Sequence, residues 1–329
     1  MGTVLAVAGA TYQKVTTVVD EHWRYPPPGR LVDVNGYKMH INCTGESGPT
    51  VVLDSGMGNS SLIWSLVQPD VAKFVRVCSY DRAGLGWSES RHGWLPFGVT
   101  RRTSQQMVEE LHTLLKNAGV PGSYVLVGHS LGGMNMRVYA SAYPAEVAGM
   151  VLVDSSHEET YARLPKAALY TADEKKIEHQ EARPQVLLGL ERLFKDRHDY
   201  EWLPANVRGM YISVESKTET YLTLDDEYLS FGESIRQARA AAPMPANMPL
   251  FVLAATEQYN SLPPGVREQT KQAWLELQKE LASRSTNSVF RLVEGSNHSI
   301  HCNGRQGEVL NAVRRVLEAA RNHSQLSSN

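Results

Sequence analysis

The chain has 329 residues, 42% hydrophobic and 21% charged, the composition of a globular protein with room for a sizeable core. Its 33 lysines and arginines against 35 aspartates and glutamates leave a net charge of −2, so no field of either sign points to nucleic acid, an anionic membrane or a polyanionic substrate. Three scattered cysteines, Cys43, Cys78 and Cys302, exclude a disulfide scaffold and a C-x-x-C site, and no run approaches the roughly 20 apolar residues of a spanning helix.

Val4 to Ala10 is apolar but short and has no basic stretch before it, so a plain N-terminal helix or a truncated membrane anchor suits it better than a signal peptide. Tyr25-Pro-Pro-Pro-Gly29 cannot continue a helix, because proline lacks the N–H and biases its predecessor toward extended backbone. Residues 1–29 therefore read as an appendage. Leu31–Val34 and Tyr37–Cys43, joined by Asn35-Gly36, read as a hairpin. Short β-branched runs follow at Thr50–Leu53, Val75–Tyr80, Tyr124–Val127, Met150–Val153, Leu250–Leu253 and Val289–Val293, and their lack of alternation suits strands covered on both faces. Helical stripes lie between and after them, at Gln105–Lys116 and over Val309–Ala320. The pattern predicts an α/β fold, a mostly parallel eight-stranded sheet flanked by helices, with a core of residues 30–154 and 248–323. Residues 155–247 break the alternation and read as a helical cap inserted after the sixth strand. Its large groups include Tyr161, Tyr170, Phe194, Tyr200, Trp202, Met210, Tyr211, Tyr221, Tyr228 and Phe231. Most are expected to pack the cap onto the core and the remainder to line an apolar pocket.

Gly128-His-Ser-Leu-Gly132 stands between the strand Tyr124–Val127 and a helical stretch from about Leu131 to Ala142. Strand, sharp turn and helix make G-x-S-x-G a nucleophile elbow, which lifts the Ser130 hydroxyl clear of its neighbours. A serine hydroxyl is a poor nucleophile until a positioned base takes its proton. His298, in Glu294-Gly-Ser-Asn-His298, follows the last predicted strand on the side where parallel sheets carry their sites; His301 reads as a packing or capping residue. The base needs a carboxylate to hold its tautomer. Asp154, which closes the strand Met150–Val153, and Glu257, beyond Leu250–Leu253, both qualify, and Asp154 is favoured for its short attachment to its strand. Donors for an oxyanion are the backbone N–H of Leu131 and that of Met57, in the Gly-rich loop Asp54-Ser-Gly-Met-Gly58.

Four ordered blocks resemble the α/β-hydrolase superfamily, and the resemblance spans about residues 30–320. They are Ser55-Gly-Met-Gly58, Tyr80-Asp-Arg-Ala-Gly-Leu-Gly-Trp-Ser88, Gly128-His-Ser-Leu-Gly-Gly133 and Asn297-His298. The order nucleophile, acid, histidine that this family follows is met by Ser130, then Asp154 or Glu257, then His298. The resemblance places Met57 and Leu131 at the oxyanion-hole positions and makes Asp81 to Gly86 a structural turn. Two departures stand out. Ser55-Gly56 replaces the usual His-Gly, and the usual aspartate after the penultimate strand is absent, with Gln258 near its place. A subset of the family uses an acid after the sixth strand, which adds weight to Asp154. Serine at the nucleophile position sets the chain apart from the dehalogenases and epoxide hydrolases that resemble it in architecture.

The resulting expectation is an esterase-like serine hydrolase acting on small-molecule esters with apolar acyl or aryl groups, needing no metal or organic cofactor and no nucleic acid. A thioesterase or amidase, a carbon–carbon hydrolase and a cofactor-free perhydrolase use the same residues, and a ligand-binding protein on a hydrolase scaffold is the alternative of another class. The block from Pro26 to Gly36 resembles bacterial hydrolases with a longer apolar N-terminal segment, which implies an exported or membrane-tethered parent, with a cytoplasmic protein as the alternative. In an oxidising compartment Cys43 and Cys78 either meet on neighbouring strands or are kept apart by register.

Overall fold

The central strands read as unbroken apolar runs because alternate side chains enter two different cores. The computed structural model describes residues 2–91, 101–169, 184–194, 200–302 and 304–326. In β3 (Thr50–Asp54), β5 (Tyr124–His129), β6 (Val147–Val153) and β7 (Leu250–Ala255), Val52, Leu126, Leu152 and Val252 join one core with helices Ser104–Asn117 and Leu131–Ala142. Their neighbours Leu53, Val127, Val153 and Leu253 join the other, with helix Gln306–Asn322. Burial on both faces is what removes the alternation from the sequence.

With β1 (Arg30–Val34), β2 (Tyr37–Thr44), β4 (Val77–Tyr80) and β8 (Ser288–Val293), these strands form one sheet in the order β1-β2-β4-β3-β5-β6-β7-β8. The strands from β4 to β8 run parallel, and the β1–β2 hairpin is added antiparallel at the β4 edge. Asn35 and Gly36 turn that hairpin with φ of 56° and 93°, the left-handed pair a tight two-residue turn needs. The β2–β4 register sets Cys43 opposite Cys78, and the two are joined by a disulfide.

From β3 the chain steps outward to β4, then crosses back to place β5 on the other side of β3. The loops leaving β3 and β5 therefore diverge from a crevice at the carboxyl ends of adjacent strands, the place where open parallel sheets hold ligands. Between β6 and β7 the chain forms helices, among them Ala205–Glu215 and Thr218–Ala240. Tyr200, Trp202, Met210 and Tyr211 pack against the second core, and Phe194 faces solvent; Tyr170 lies outside the described residues.

The N-terminal residues, set apart by the proline run, form the helix Gly2–Val19, and this helix is tied to the insertion. Gln13 Nε2 donates to Ser216 O at 2.7 Å, and Arg192 donates to Asp20 at 2.6 Å and to Thr17 Oγ1 at 3.1 Å. The helix packs through its polar side: Gln13 and Thr17, with Asp20 just beyond, are buried, while Val4, Leu5, Val7 and Val15 are exposed. Partners nearly 200 positions away leave no trace in local periodicity. Among the described residues no helix is long and apolar enough to cross a membrane.

Candidate active site

β5 runs straight into a helix, and Ser130 makes the reversal with φ 53° and ψ −120°, a region that non-glycine residues rarely occupy. The strain is held by backbone bonds on both sides: Ser130 N donates to Val153 O at 3.2 Å, and Ser156 N donates to Ser130 O at 2.9 Å. Gly132 completes the turn. A Cβ there would lie 2.5 Å from the Asp54 carbonyl, so only glycine lets the helix start press against the loop after β3.

Asp154 leaves β6 with φ 45°, which folds its side chain back over the sheet edge, where it is fully buried. Four donors converge on the carboxylate. Ala255 N and Trp274 Nε1 donate to Oδ1 at 3.1 and 2.9 Å, and Gln258 Nε2 and His298 Nδ1 donate to Oδ2 at 2.6 and 2.5 Å. A buried carboxylate is tolerated only when its lone pairs are filled in this way. Glu257 reaches the rim of the same cavity but turns away from the histidine: half of its side chain is exposed, and its carboxylate pairs with Lys271 at 3.4 Å. The structure thus brings Asp154, and not Glu257, to His298. Gln258, where the resemblance expects an aspartate, supports Asp154 instead. β6 and β7 lie in parallel register with Val153 opposite Leu253, so their carboxyl ends deliver the Asp154 carboxylate and the Gln258 amide to one point.

His298 rests on an apolar and aromatic floor, its ring 6.3 Å from Trp274 and 4.6 Å from His129. His129 Nε2 donates to the His298 carbonyl at 3.0 Å, which fixes the loop after β8 to the residue preceding Ser130. His301 packs between Trp64 and His129. Burial, followed by the charges of His301 and His298, holds His129 well below the ordinary histidine value, and burial with the His298 charge pushes His301 down to about 3. These two are buried neutral rings, and His298, with 41% of its side chain exposed, is the one open to a substrate.

The sign of the resulting pH effect is determined by burial. Between pH 7 and pH 5 the unfolded chain takes up a proton at residue 301, with an ordinary value of 6.5, that the folded chain refuses until about pH 3. Stability is therefore lost as pH falls, by about 2 kcal/mol from this group over that interval. Denaturant midpoints at pH 7 and pH 5 are expected to differ less in His301→Phe than in the parent; equal differences would remove the assignment.

The loop after β3 closes the site. Met57 is half-buried, Leu131 opens the helix after Ser130, and among the described residues neither backbone N–H meets a protein acceptor. Beneath this loop lies Arg82, fully buried, which donates to Asp54, Ser55 O, Gly56 O and Glu227. Burial opposes its charge, and the pull of Glu227 and Asp54 more than offsets this and raises its pKa. Nothing local in the sequence marks Arg82, Glu227 or Trp274: Arg82 follows Asp81 in a turn, Glu227 follows Asp225 and Asp226, and Trp274 stands between Ala273 and Leu275 in a charged helix.

Ser130, Leu131, Met57 and His298 line one cavity of about 620 Å³, with Tyr161, Leu164, Tyr228, Phe231, Leu262 and Trp274 among its other walls. Among the described residues no cluster of three His, Cys, Asp or Glu side chains is disposed to hold a metal.

A mostly parallel sheet with a strained serine in the turn after β5, and a carboxylate-bonded histidine after its last strand, is the layout of one class of α/β protein. A profile of the α/β-hydrolase fold matches residues 49–280, and the chain belongs to that family. The uncharacterized protein YqjL of Bacillus subtilis is 26% identical over 270 residues, covering 82% of this chain and 84% of its own length. The enol-lactonase from Burkholderia xenovorans is similar in structure, with a TM-score of 0.59 and 20% identity over 88% of this chain and 100% of its own. An esterase from Exiguobacterium antarcticum gives a TM-score of 0.63 at 16% identity, over 88% and 99% of the two chains.

Proposed function

We propose that the chain is a serine hydrolase that cleaves carboxylic esters with apolar acyl or aryl groups through an acyl-enzyme. The observation that carries this reading is the hydrogen bond from His298 Nδ1 to buried Asp154, in a cavity that Ser130 also lines. With its proton on Nδ1, the imidazole presents the Nε2 lone pair as a base. Ser130 Oγ attacks the carbonyl carbon as its proton passes to Nε2, and the Met57 and Leu131 N–H groups hold the oxyanion. The alcohol departs with the proton from Nε2. Water then repeats the attack on the acyl-enzyme, its proton passing to His298 and on to Oγ as the acid is released. The helical insertion acts as a cap, contributing Tyr161, Leu164, Tyr228 and Phe231 to walls that, among the described residues, hold no lysine or arginine and one carboxylate, the Lys271-paired Glu257. Such walls favour an uncharged, apolar acyl group.

The test is a panel of p-nitrophenyl esters of increasing chain length together with a fluorophosphonate probe. The expected results are turnover that grows with acyl length before falling, and one adduct by intact mass that maps to Ser130. Ester cleavage at the uncatalysed rate, with no adduct, would overturn the reading.

A further inference from the structure

We infer that Arg82 and Glu227 are positioning residues that aim the Met57 N–H into the cavity, so that docking of the inserted helix Thr218–Ala240 completes the oxyanion hole. The inference rests on the serine-hydrolase reading above. In a trans peptide the C=O of one residue and the N–H of the next point in opposite directions. Arg82 Nη2 donates to Gly56 O at 2.7 Å and holds that carbonyl on the buried side, which turns the Met57 N–H away from the guanidinium. The following peptide is held as well, because Gly58 N donates to Glu227 Oε2 at 2.7 Å. Both peptide units that flank Met57 are therefore pinned by one buried ion pair. If the first were released, rotation about it would present a carbonyl oxygen to a developing negative charge.

The guanidinium is used completely. Nε donates to Glu227 Oε1 at 2.7 Å, and Nη1 donates to Asp54 Oδ1 and Ser55 O at 2.8 Å each. Nη2 donates to Gly56 O and to Glu227 Oε2, at 3.2 Å for the latter, so every N–H of the fork has an acceptor. A lysine has three rotatable donors and no fixed plane, and cannot reproduce this set. Glu227 belongs to the inserted helix and not to the sheet. That helix also presses Leu224 onto Gly58 and Thr223 onto Gly84, where an added Cβ would lie 2.5 and 2.0 Å from their side chains. The direction of the Met57 amide thus depends on a segment 145 positions away from Arg82.

Deleting the Arg82 cation leaves two buried carboxylates unpaired, so the informative variants are Arg82→Lys and Glu227→Gln. Loss of one oxyanion donor lowers kcat by about 100-fold or more, so each is expected to lower kcat by about 30- to 300-fold with KM within about threefold. A structural loss alone would not reproduce the ligand contrast. Affinity for phenylboronic acid, which becomes an anionic tetrahedral adduct on serine, should fall in step with kcat, while affinity for neutral 1-hexanol stays within about twofold. If Arg82→Lys fails to fold, Glu227→Gln and the uncharged change Leu224→Ala carry the test, the latter lowering kcat and boronate affinity in the same direction. Folded variants with parental kcat and boronate affinity, or with both ligands weakened equally, overturn the inference. A parent protein that takes no phosphonate label removes the hydrolase reading and this inference with it, whereas a labelled parent with unaffected variants removes this inference alone.

Discussion

Ser130→Ala is expected to lower kcat for p-nitrophenyl esters by about 10⁵- to 10⁶-fold and to abolish the phosphonate adduct, while the melting temperature stays within a few degrees of the parent. Alanine keeps the Cβ and so inherits the same backbone strain at φ 53°; the substitution removes one oxygen and little else. The Met57 and Leu131 amides and the apolar walls remain, so binding of a neutral ligand should be unchanged and a small residual rate should persist from oxyanion stabilisation alone. Steady-state turnover, intact mass after phosphonate treatment and a thermal scan check the three parts. An adduct that persists on another residue would move the nucleophile.

Asp154→Asn is expected to lower kcat by about 10³- to 10⁴-fold, against a change within about twofold for Glu257→Gln. The carboxylate accepts from Ala255 N and Trp274 Nε1 on one oxygen and from Gln258 Nε2 and His298 Nδ1 on the other. Asparagine has one acceptor oxygen, and its amide presents donors to donors. Facing that amide, His298 must carry its proton on Nε2, the wrong tautomer for taking one from Ser130. The buried Gln258 amide also loses its acceptor, so stability falls by about 1–3 kcal/mol, read as a shift in the denaturant midpoint at constant slope. Glu257 is half exposed at the cavity rim and pairs with Lys271, and neutralising it leaves the bond between Asp154 and His298 intact. The opposite ranking of the two variants would overturn the assignment of the acid.

Ser130 and His298 were visible in the chain because their signals are local: a strand, a turn and a helix around one, a loop directly after the final strand around the other. The choice between Asp154 and Glu257 was not local. Both follow a strand, and what separates them is that Asp154 turns inward at φ 45° while Glu257 reaches out to Lys271. The Gln258 amide, which stands where the resemblance expects an aspartate, becomes a donor to the Asp154 carboxylate through the adjacency of β6 and β7. For Cys43 and Cys78 the sequence leaves both pairing and separation open; the adjacency of β2 and β4 and their register set the two opposite each other, and a shift of one residue would turn them to opposite faces.

Hydrophobic periodicity and turn chemistry, both short-range properties, were enough to determine the strands, the hairpin, the helical insertion and the elbow. Long-range pairing decided the rest: which carboxylate meets the histidine, how the N-terminal helix packs through its polar side, and how a glutamate of the insertion comes to grip the loop that carries Met57. A charge buried in a protein is stable only where its partners converge, and convergence is a property of the folded chain that no window along the sequence contains.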